Sequence, residues 1–339
     1  MLELIIAKNE KARLQKTLSS IVRSASPSVG VQTVGFPGGN DDLELFTKGD
    51  GHLWYGERTL TLKDAKIPRY WNALGIYDES RSAQTPTVEL NIAVDDNSGR
   101  VSGFFARDPA TKKIYLMHTG KVGGGAKGVG KTAFLAWSRS PVVPVLDVSG
   151  GTQRSGIVIG SLDRETFVGR VERFVKRVAL FKEFVKQGHH EDPKFRELVE
   201  ELQNFSPEFA GLKMGYLDGT VEYLSYHGDV IDELYRKRSK LKTPGEVIYN
   251  TNLIDLAVRD SGVLTEVYEA KTSVDRQVLY TAIGQLIVHS AEQPKPRKFL
   301  VIPKDRVLPN DIHAAMKEHD IELLRFAVMT DGSGVKVDV

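Results

Sequence analysis

Residues 252–271 read NLIDLAVRDSGVLTEVYEAK, and this stretch decides the fold of the C-terminal third of the chain. Two runs in which apolar and polar residues alternate flank a turn at 260–262, a pattern typical of a β-hairpin. Side chains alternate across a strand, so Val267, Glu269 and Lys271 are expected on one face of the second strand. The hairpin therefore predicts a charged cluster on an otherwise apolar sheet.

The patterns on both sides of the hairpin indicate that it belongs to a larger domain. Helical and strand-like periods alternate in the order α-β-β-β-α-β-α-β, which favours a mixed sheet with helices on its faces. Besides the two hairpin strands, the predicted elements are helices at 227–242, 274–292 and 308–320 and strands at 246–250, 297–303 and 321–329.

The charged residues of the hairpin have the chemistry of a metal site. Asp255 is expected near the level of Glu269 across the turn, so two carboxylates and the ammonium group of Lys271 converge at one end of the sheet. Two carboxylates and a backbone carbonyl form a hard-oxygen site that suits Mg²⁺ with several retained waters. A lysine beside it can orient an attacking water and offset charge on a phosphoryl oxygen. A lone Glu-x-Lys on a strand is more often a solvated ion pair, so the interpretation depends on the whole set.

Asp255, followed after the hairpin by Glu269-Ala270-Lys271, resembles the motif of the PD-(D/E)xK nuclease superfamily of restriction and repair endonucleases. The resemblance covers about 227–303 and includes the order of the elements. It implies a restriction-endonuclease-like domain at 215–339 that hydrolyses phosphodiester bonds with Mg²⁺, for which Mn²⁺ can substitute. It also implies that Asp255 and Glu269 hold the metal and that Lys271 serves the attacking water.

Two helices near the hairpin resemble further parts of the same superfamily. The segment AIGQLIVHS resembles its Gln-x-x-x-Tyr helix, with Gln285 one turn before His289, where that subgroup has tyrosine. The opening helix offers His227, Asp232 and Glu233 as candidates for a position near the metal. Gln285 and His227 complete the predicted catalytic set. As alternatives, Gln285 satisfies backbone groups and His227 is a hydrogen-bonded helix-cap histidine.

The rest of the chain divides by hydrophobic period. Residues 1–155 contain short alternating runs separated by turn signals, which predicts a β-rich domain with a helical leader at 7–25. At 156–214 the period becomes helical, which predicts a connector between the two domains. A β-rich domain before a nuclease is expected to recognise the DNA target, an inference from architecture alone. Four aromatic residues are interpreted as core, with stacking on bases as the alternative: Trp54, Tyr55, Tyr70 and Trp71.

A glycine-lysine loop at 125–132, GAKGVGKT, matches the Walker A pattern of nucleotide-binding proteins. The apolar run before it ends early, the helix after it is cut short by prolines, and VVPVLD follows too soon for a parallel βαβ unit. The preferred interpretation is a loop whose lysines, Lys121, Lys127 and Lys131, contact the phosphates of nucleic acid. A surface loop without a ligand and an NTP-binding site are the alternatives.

Composition excludes several classes of protein. The 339 residues include no cysteine, which excludes disulfides, thiolate zinc sites and a cysteine nucleophile and is compatible with the cytoplasm. No apolar stretch approaches the roughly 20 residues that span a bilayer, and the first residues lack the order of a signal peptide. The 46 basic and 44 acidic residues give a net charge of +2, which still leaves room for a basic cleft.

These features predict a mixed α+β protein that acts as a Mg²⁺-dependent DNA endonuclease in restriction or phage defence. It is expected in the cytoplasm, without a membrane partner, and with the N-terminal domain selecting the target. Cutting both strands of double-stranded DNA favours a homodimer. The alternatives are a repair or structure-specific nuclease, an NTP-binding protein that uses the glycine loop, and a DNA-binding module without catalysis.

Overall fold

A computed structural model of the chain describes residues 1–36, 38–48, 53–95, 100–124, 126–138, 140, 142–162, 165–204, 226–249 and 254–338. Over these residues the protein is mixed α+β, with seven α-helices and two sheets. The chain divides into two compact units, residues 1–214 with 331–333 and residues 215–330 with 334–339. None of the helices in the described ranges has the length and apolar character needed to cross a bilayer.

The strands of the first unit form one continuous sheet. They are β1 (Leu2–Leu4), β2 (Ser28–Phe36), β3 (Gly39–Thr47), β4 (Leu53–Leu60), β5 (Arg69–Ile76), β6 (Val88–Ala93), β7 (Gly103–Arg107), β8 (Ile114–His118), β9 (Val143–Asp147) and β10 (Thr152–Ser161). Because β1 pairs with both β9 and β7, five strands close into a barrel in the order β1-β9-β10-β8-β7. The other five, β6 to β2, continue from β7 as a curled half-barrel.

The helices of the first unit pack on this sheet. They are α1 (Lys8–Ser24), α2 (Lys131–Ser138), α3 (Phe167–Lys186) and α4 (Pro193–Asn204), with a 3₁₀ turn at His189–Glu191. The buried face of α3, which includes Phe174, Val178 and Phe181, lies in the same core as the buried face of α1. The described part of the segment expected as a connector, 156–162 and 165–204, therefore belongs to the first unit. The period of α3 specifies a buried face, but it does not specify the partner of that face.

The aromatic residues of the half-barrel are core residues. Trp54, Tyr55 and Trp71 are at most 4% exposed, which confirms the core interpretation for these three. Tyr55 lies in the core that α1 and α3 share, and Tyr70 packs against that core. Trp54 and Trp71 lie in a second, smaller core of the half-barrel strands. None of the three fully buried rings offers a face on which a base can stack.

The second unit contains the eight predicted elements in the predicted order. They are α5 (His227–Lys240), β11 (Glu246–Tyr249), β12 (Leu256–Asp260), β13 (Val263–Ala270), α6 (Arg276–His289), β14 (Arg297–Pro303), α7 (Asn310–Glu318) and β15 (Ile321–Val328). A short strand that the sequence pattern did not indicate, β16 (Val335–Asp338), pairs antiparallel with β15. The six strands are adjacent in chain order, and only β13, β14 and β15 run parallel to each other.

Helices cover both faces of this sheet. On one face, α5 packs its apolar side chains against the side of β13 that carries Tyr268 and Ala270. On the other face, α6 and α7 pack against the side that carries Val267. The parallel pairs β13–β14 and β14–β15 require crossovers, and α6 and α7 provide them. Strand β13 is therefore packed between α5 on one face of the sheet and α6 on the other.

The β12–β13 hairpin has a two-residue turn at Ser261 and Gly262. Both have left-handed backbone angles, with φ of 49° and 88°, as a tight turn of this kind requires. Near the turn the register pairs Asp260 with Val263. The turn is therefore the one that the sequence predicts.

One extra residue in β13 then changes the register. Arg259 pairs with Leu264 but Val258 pairs with Glu266, so Thr265 is a β-bulge. The hydroxyl of Thr265 donates to the carbonyl of Val258 at 3.1 Å. Beyond the bulge, the ladder ends with Leu256 opposite Tyr268. The next residue back along the chain, Asp255, therefore comes level with Glu269.

Candidate active site

The five residues of the predicted catalytic set lie together in the second unit. Asp255 immediately precedes β12, and Glu269 is the penultimate residue of β13. Lys271 follows β13 directly, His227 is the first residue of α5, and Gln285 lies in α6. Direct contacts connect them in two groups, which meet because Asp255 and Glu269 are neighbours on the hairpin.

The first group centres on the carboxylate of Asp255. Its Oδ2 accepts a hydrogen bond from the backbone N–H of Ala270 at 2.8 Å. Its Oδ1 lies 3.3 Å from Nε2 of His227. Burial alone raises the pKa of Asp255, but the neighbouring His227 and the Ala270 amide outweigh it, and the pKa falls below its ordinary value. Asp255 is therefore held in place and held ionised.

The second group centres on Lys271. Its Nζ donates to Oε1 of Glu269 at 2.5 Å and to Oε1 of Gln285 at 2.9 Å. The backbone N–H of Lys271 donates to the carbonyl of Val301 at 2.8 Å, which fixes the residue to β14. Two acceptors from different elements therefore define the position of the ammonium group.

Glu269 is only 3% exposed. Burial has the largest effect on the pKa of Glu269, and the negative charge of Asp255 has the second largest. Both raise this pKa well above its ordinary value, although Lys271 opposes them. The two carboxylates are thus close enough to repel each other in a poorly solvated place. A divalent cation between them would remove that repulsion.

The donor set fits a hard cation such as Mg²⁺. Two carboxylates are oxygen ligands of the kind that this ion prefers, and it commonly retains several waters. Asp255 and Glu269 would hold it. Over the part of the chain that the structure describes, no group of three or more His, Cys, Asp and Glu side chains is arranged to hold a metal ion by itself. The fit therefore depends on water completing the coordination.

The other candidates of the opening helix lie apart from this cluster. Glu233 forms a bidentate ion pair with Arg236, at 2.6 and 2.7 Å, and Asp232 is exposed. The buried face of α5 contains Val230, Ile231 and Leu234, so the helix directs position 232 to solvent. Among the three candidates, His227 alone is placed beside a carboxylate of the cluster.

Sequence reasoning missed one buried contact that positions the site. Arg238 of α5 donates to Glu266 of β13 at 2.7 Å and to Glu246 of β11 at 2.6 Å. These bonds connect the helix that carries His227 to the hairpin that carries Asp255. A signal was present, because Arg238 falls one turn after Leu234 on the apolar face of α5.

The three lysines of the glycine loop lie in the first unit. Lys121 follows β8, Lys127 lies in a turn, and Lys131 is the first residue of α2. Burial, and then the charge of Lys121, lower the pKa of Lys131, so these two ammonium groups are near each other. Residue 125, the first of the glycine pattern, lies outside the described residues.

The strand before this loop does not have the context of a nucleotide-binding loop. β8 runs antiparallel to both of its neighbours, β7 and β10. A phosphate loop of the Walker type follows a strand of a parallel sheet and leads into the crossover helix. Here α2 has eight residues and leads to β9, which pairs with β10 rather than with β8. The arrangement favours the interpretation of a basic surface loop.

No family model, curated protein or solved structure matches the chain. What the cluster can do is therefore argued from its own side chains.

Proposed function

We propose that the protein is a Mg²⁺-dependent endonuclease that hydrolyses phosphodiester bonds in DNA, with a PD-(D/E)xK-like active site in the second unit. The observation that carries the proposal is the pair of carboxylates, Asp255 and Glu269, with Lys271 fixed beside them. Buried like charges of this kind are costly in a fold unless a ligand uses them. A helix from each face of the sheet, carrying His227 and Gln285, supports the cluster.

Each residue has a distinct role in this chemistry. When bound, Mg²⁺ supplies Lewis acidity toward a phosphoryl oxygen and makes water a better nucleophile. Asp255 and Glu269 would provide its protein ligands, and His227 holds Asp255 in position. Lys271 orients the attacking water and offsets the charge that develops on phosphorus-bound oxygens. Gln285 acts through Lys271 and is a positioning residue.

The bond changes balance as an ordinary hydrolysis. The oxygen of the attacking water bonds to phosphorus, and the bond from phosphorus to the leaving deoxyribose oxygen breaks. One proton leaves the water, and one proton reaches the leaving oxygen, so the products are a phosphate monoester and a hydroxyl. No oxidant or other co-substrate is needed.

The test is cleavage of supercoiled plasmid DNA with Mg²⁺ or Mn²⁺. Wild type is compared with Asp255→Asn, Lys271→Met and Lys242→Met, the last an exposed lysine of the same unit. We expect metal-dependent nicking that Asp255→Asn and Lys271→Met abolish and Lys242→Met retains. Equal nicking by all four proteins would trace the activity to a contaminant and refute the proposal.

The first unit is proposed to select the target in restriction or phage defence, with the loop of Lys121, Lys127 and Lys131 contacting DNA phosphates. Such an enzyme works in the cytoplasm, where its substrate is. A substrate panel separates this role from repair: unmodified, methylated and hydroxymethylated DNA on one side, branched and damaged DNA on the other. Preference for branched DNA would favour the repair role.

Cleavage of both DNA strands favours a homodimer, because two symmetric active sites match two antiparallel strands. Light scattering of the purified protein measures the mass directly. A dimer mass with concerted linearisation of plasmid supports this arrangement, and a monomer that only nicks contradicts it.

A further inference from the structure

A hollow of about 460 Å³ lies in the second unit, at the end of β14 opposite to the catalytic cluster. Its wall is formed by the start of β14, the end of α7 and the start of β15. Lys298 lines the hollow and pairs with Val267 in the β13–β14 register. Lys271 of the proposed active site instead hydrogen-bonds through its backbone N–H to the carbonyl of Val301. Three residues of strand separate Lys298 from Val301, which is roughly 10 Å. The hollow is therefore a place distinct from the proposed active site.

Lys298 is an unusual lysine for this fold, because it is 8% exposed. Among the residues that the structure describes, its Nζ has no hydrogen bond or ion pair. The other buried charged side chains of this unit, Arg238 and Glu269, both have ion-pair partners. The Nζ atom is not among the buried unpartnered polar atoms, so the stem of Lys298 is buried while its ammonium group reaches solvent and is available to a ligand.

The charges around the hollow favour an anion. Its lining contains four cationic side chains and two carboxylates. One carboxylate, Glu322, is already engaged by Arg297 through two contacts of 2.9 Å. The exposed lysines Lys295 and Lys317 are then available at the rim above Lys298.

The hollow also has apolar wall. Pro296, Met316 and Ile321 are buried residues that line it. Its volume falls in the range of small-molecule sites. An anion that also carries an organic body, such as a phosphate ester, fits this combination better than a bare ion.

We propose that this hollow binds a phosphate group, with the ammonium group of Lys298 as its main contact and Lys317 at its rim. The phosphate belongs to a nucleotide or to the backbone of DNA, which share this chemistry. The site does not depend on the proposed nuclease activity, because none of the catalytic residues lines it. Charge-assisted hydrogen bonds from lysine supply the affinity, and the apolar wall contacts the rest of the ligand.

The experiment measures binding of a nucleoside 5′-monophosphate, of its parent nucleoside, of inorganic phosphate and of a short DNA duplex. It is done in EDTA by calorimetry on the full chain. We expect at least tenfold weaker binding of the monophosphate to Lys298→Met, a several-fold loss in the exposed variant Lys317→Met, and no change in Lys242→Met. The nucleoside, which has no phosphate, should not bind.

The comparison of the monophosphate with the duplex also identifies the source of the phosphate. If the monophosphate shows the larger dependence on Lys298, the ligand is a small molecule, and if the duplex does, it is the DNA backbone. Monophosphate and duplex both binding equally to wild type and to Lys298→Met would overturn the proposal, as would no binding of either to folded wild type. Binding that is lost in Lys271→Met but kept in Lys298→Met would place the phosphate at the proposed active site and would also overturn the proposal.

Discussion

Replacement of Gln285 by methionine tests the arrangement of the proposed active site more sharply than replacement of a metal ligand. Methionine has nearly the same length and volume, so α6 keeps its packing on the sheet. It has no strong acceptor, so Nζ of Lys271 loses its 2.9 Å hydrogen bond and keeps only the one to Glu269. Of the two acceptors that position the ammonium group of Lys271, Glu269 alone then remains.

The size of the effect follows from that single bond. A hydrogen bond to a charged group contributes about 1.5–3 kcal/mol, and each 1.4 kcal/mol is a factor of ten. If Gln285 acts by positioning Lys271 for the transition state, Gln285→Met lowers kcat by roughly 10- to 150-fold. The KM for DNA changes little, because Gln285 is bonded to Lys271 and is not placed as a contact to DNA.

The assay is single-turnover cleavage of a plasmid at saturating metal. Gln285→Glu is the matched control, because it keeps an acceptor at the same reach, and we expect it to recover at least part of the rate. A merely structural role for Gln285 would instead lower the melting temperature of both variants alike. Cleavage by Gln285→Met within twofold of wild type, while Lys271→Met is inactive, would refute the positioning argument.

Three further predictions concern the rest of the molecule and are read by urea denaturation. Phe181 is fully buried against Phe134, so Phe181→Ala is expected to destabilise the first unit by about 3–5 kcal/mol, and a loss below 1 kcal/mol would contradict its place in the core. Lys298→Met removes an ammonium group without an ion-pair partner among the described residues and keeps the apolar stem, so without phosphate the variant should be about as stable as wild type, and a clear loss would reveal a partner for the ammonium group. His118 is buried, its Nδ1 accepts the N–H of Gly120, and burial followed by the charge of Lys131 lowers its pKa to about 3. Because this pKa is below that of the unfolded chain, the stabilisation is complete above pH 6.5 and is lost as the pH falls toward 3. From pH 7 to pH 5 the free energy of unfolding of wild type should therefore fall by about 2 kcal/mol more than that of His118→Asn. Equal losses in the two proteins would contradict the neutral buried histidine.

The sequence predicted the order of the second unit because its periods are strong and its turn residues are specific. Asp260-Ser261-Gly262 defined the hairpin, and apolar runs defined β14 and β15. The bulge at Thr265 could not be predicted in this way. A regular hairpin that continued the register of the turn would place Asp255 opposite Tyr268, on the wrong face for Glu269. The bulge also explains why Leu264 and Val267, three residues apart, share one core.

Long-range contacts were the other limit of the sequence argument. The sequence offered Asp232 and Glu233 beside His227 on the opening helix, and the rotation of α5 about its apolar face shows why His227 meets Asp255 and Asp232 does not. In the first unit, no local pattern tells that β1 pairs with β7 and closes a barrel, since the partners are about a hundred residues apart. Periodicity reports which face is buried, whereas pairing depends on the whole chain.

The charge balance of the cluster is the strongest reason to expect a cation there. Asp255 has two stabilising contacts and stays ionised, and its negative charge raises the pKa of Glu269, which forms an ion pair with Lys271. The ammonium group of Lys271 is shared between Glu269 and Gln285. The fold therefore places two carboxylates that repel each other in a buried place that apolar residues of the same size would fill at lower cost. A sequence that keeps this arrangement, and braces it from both faces of the sheet, is consistent with a site whose missing positive charge is supplied by a bound metal ion.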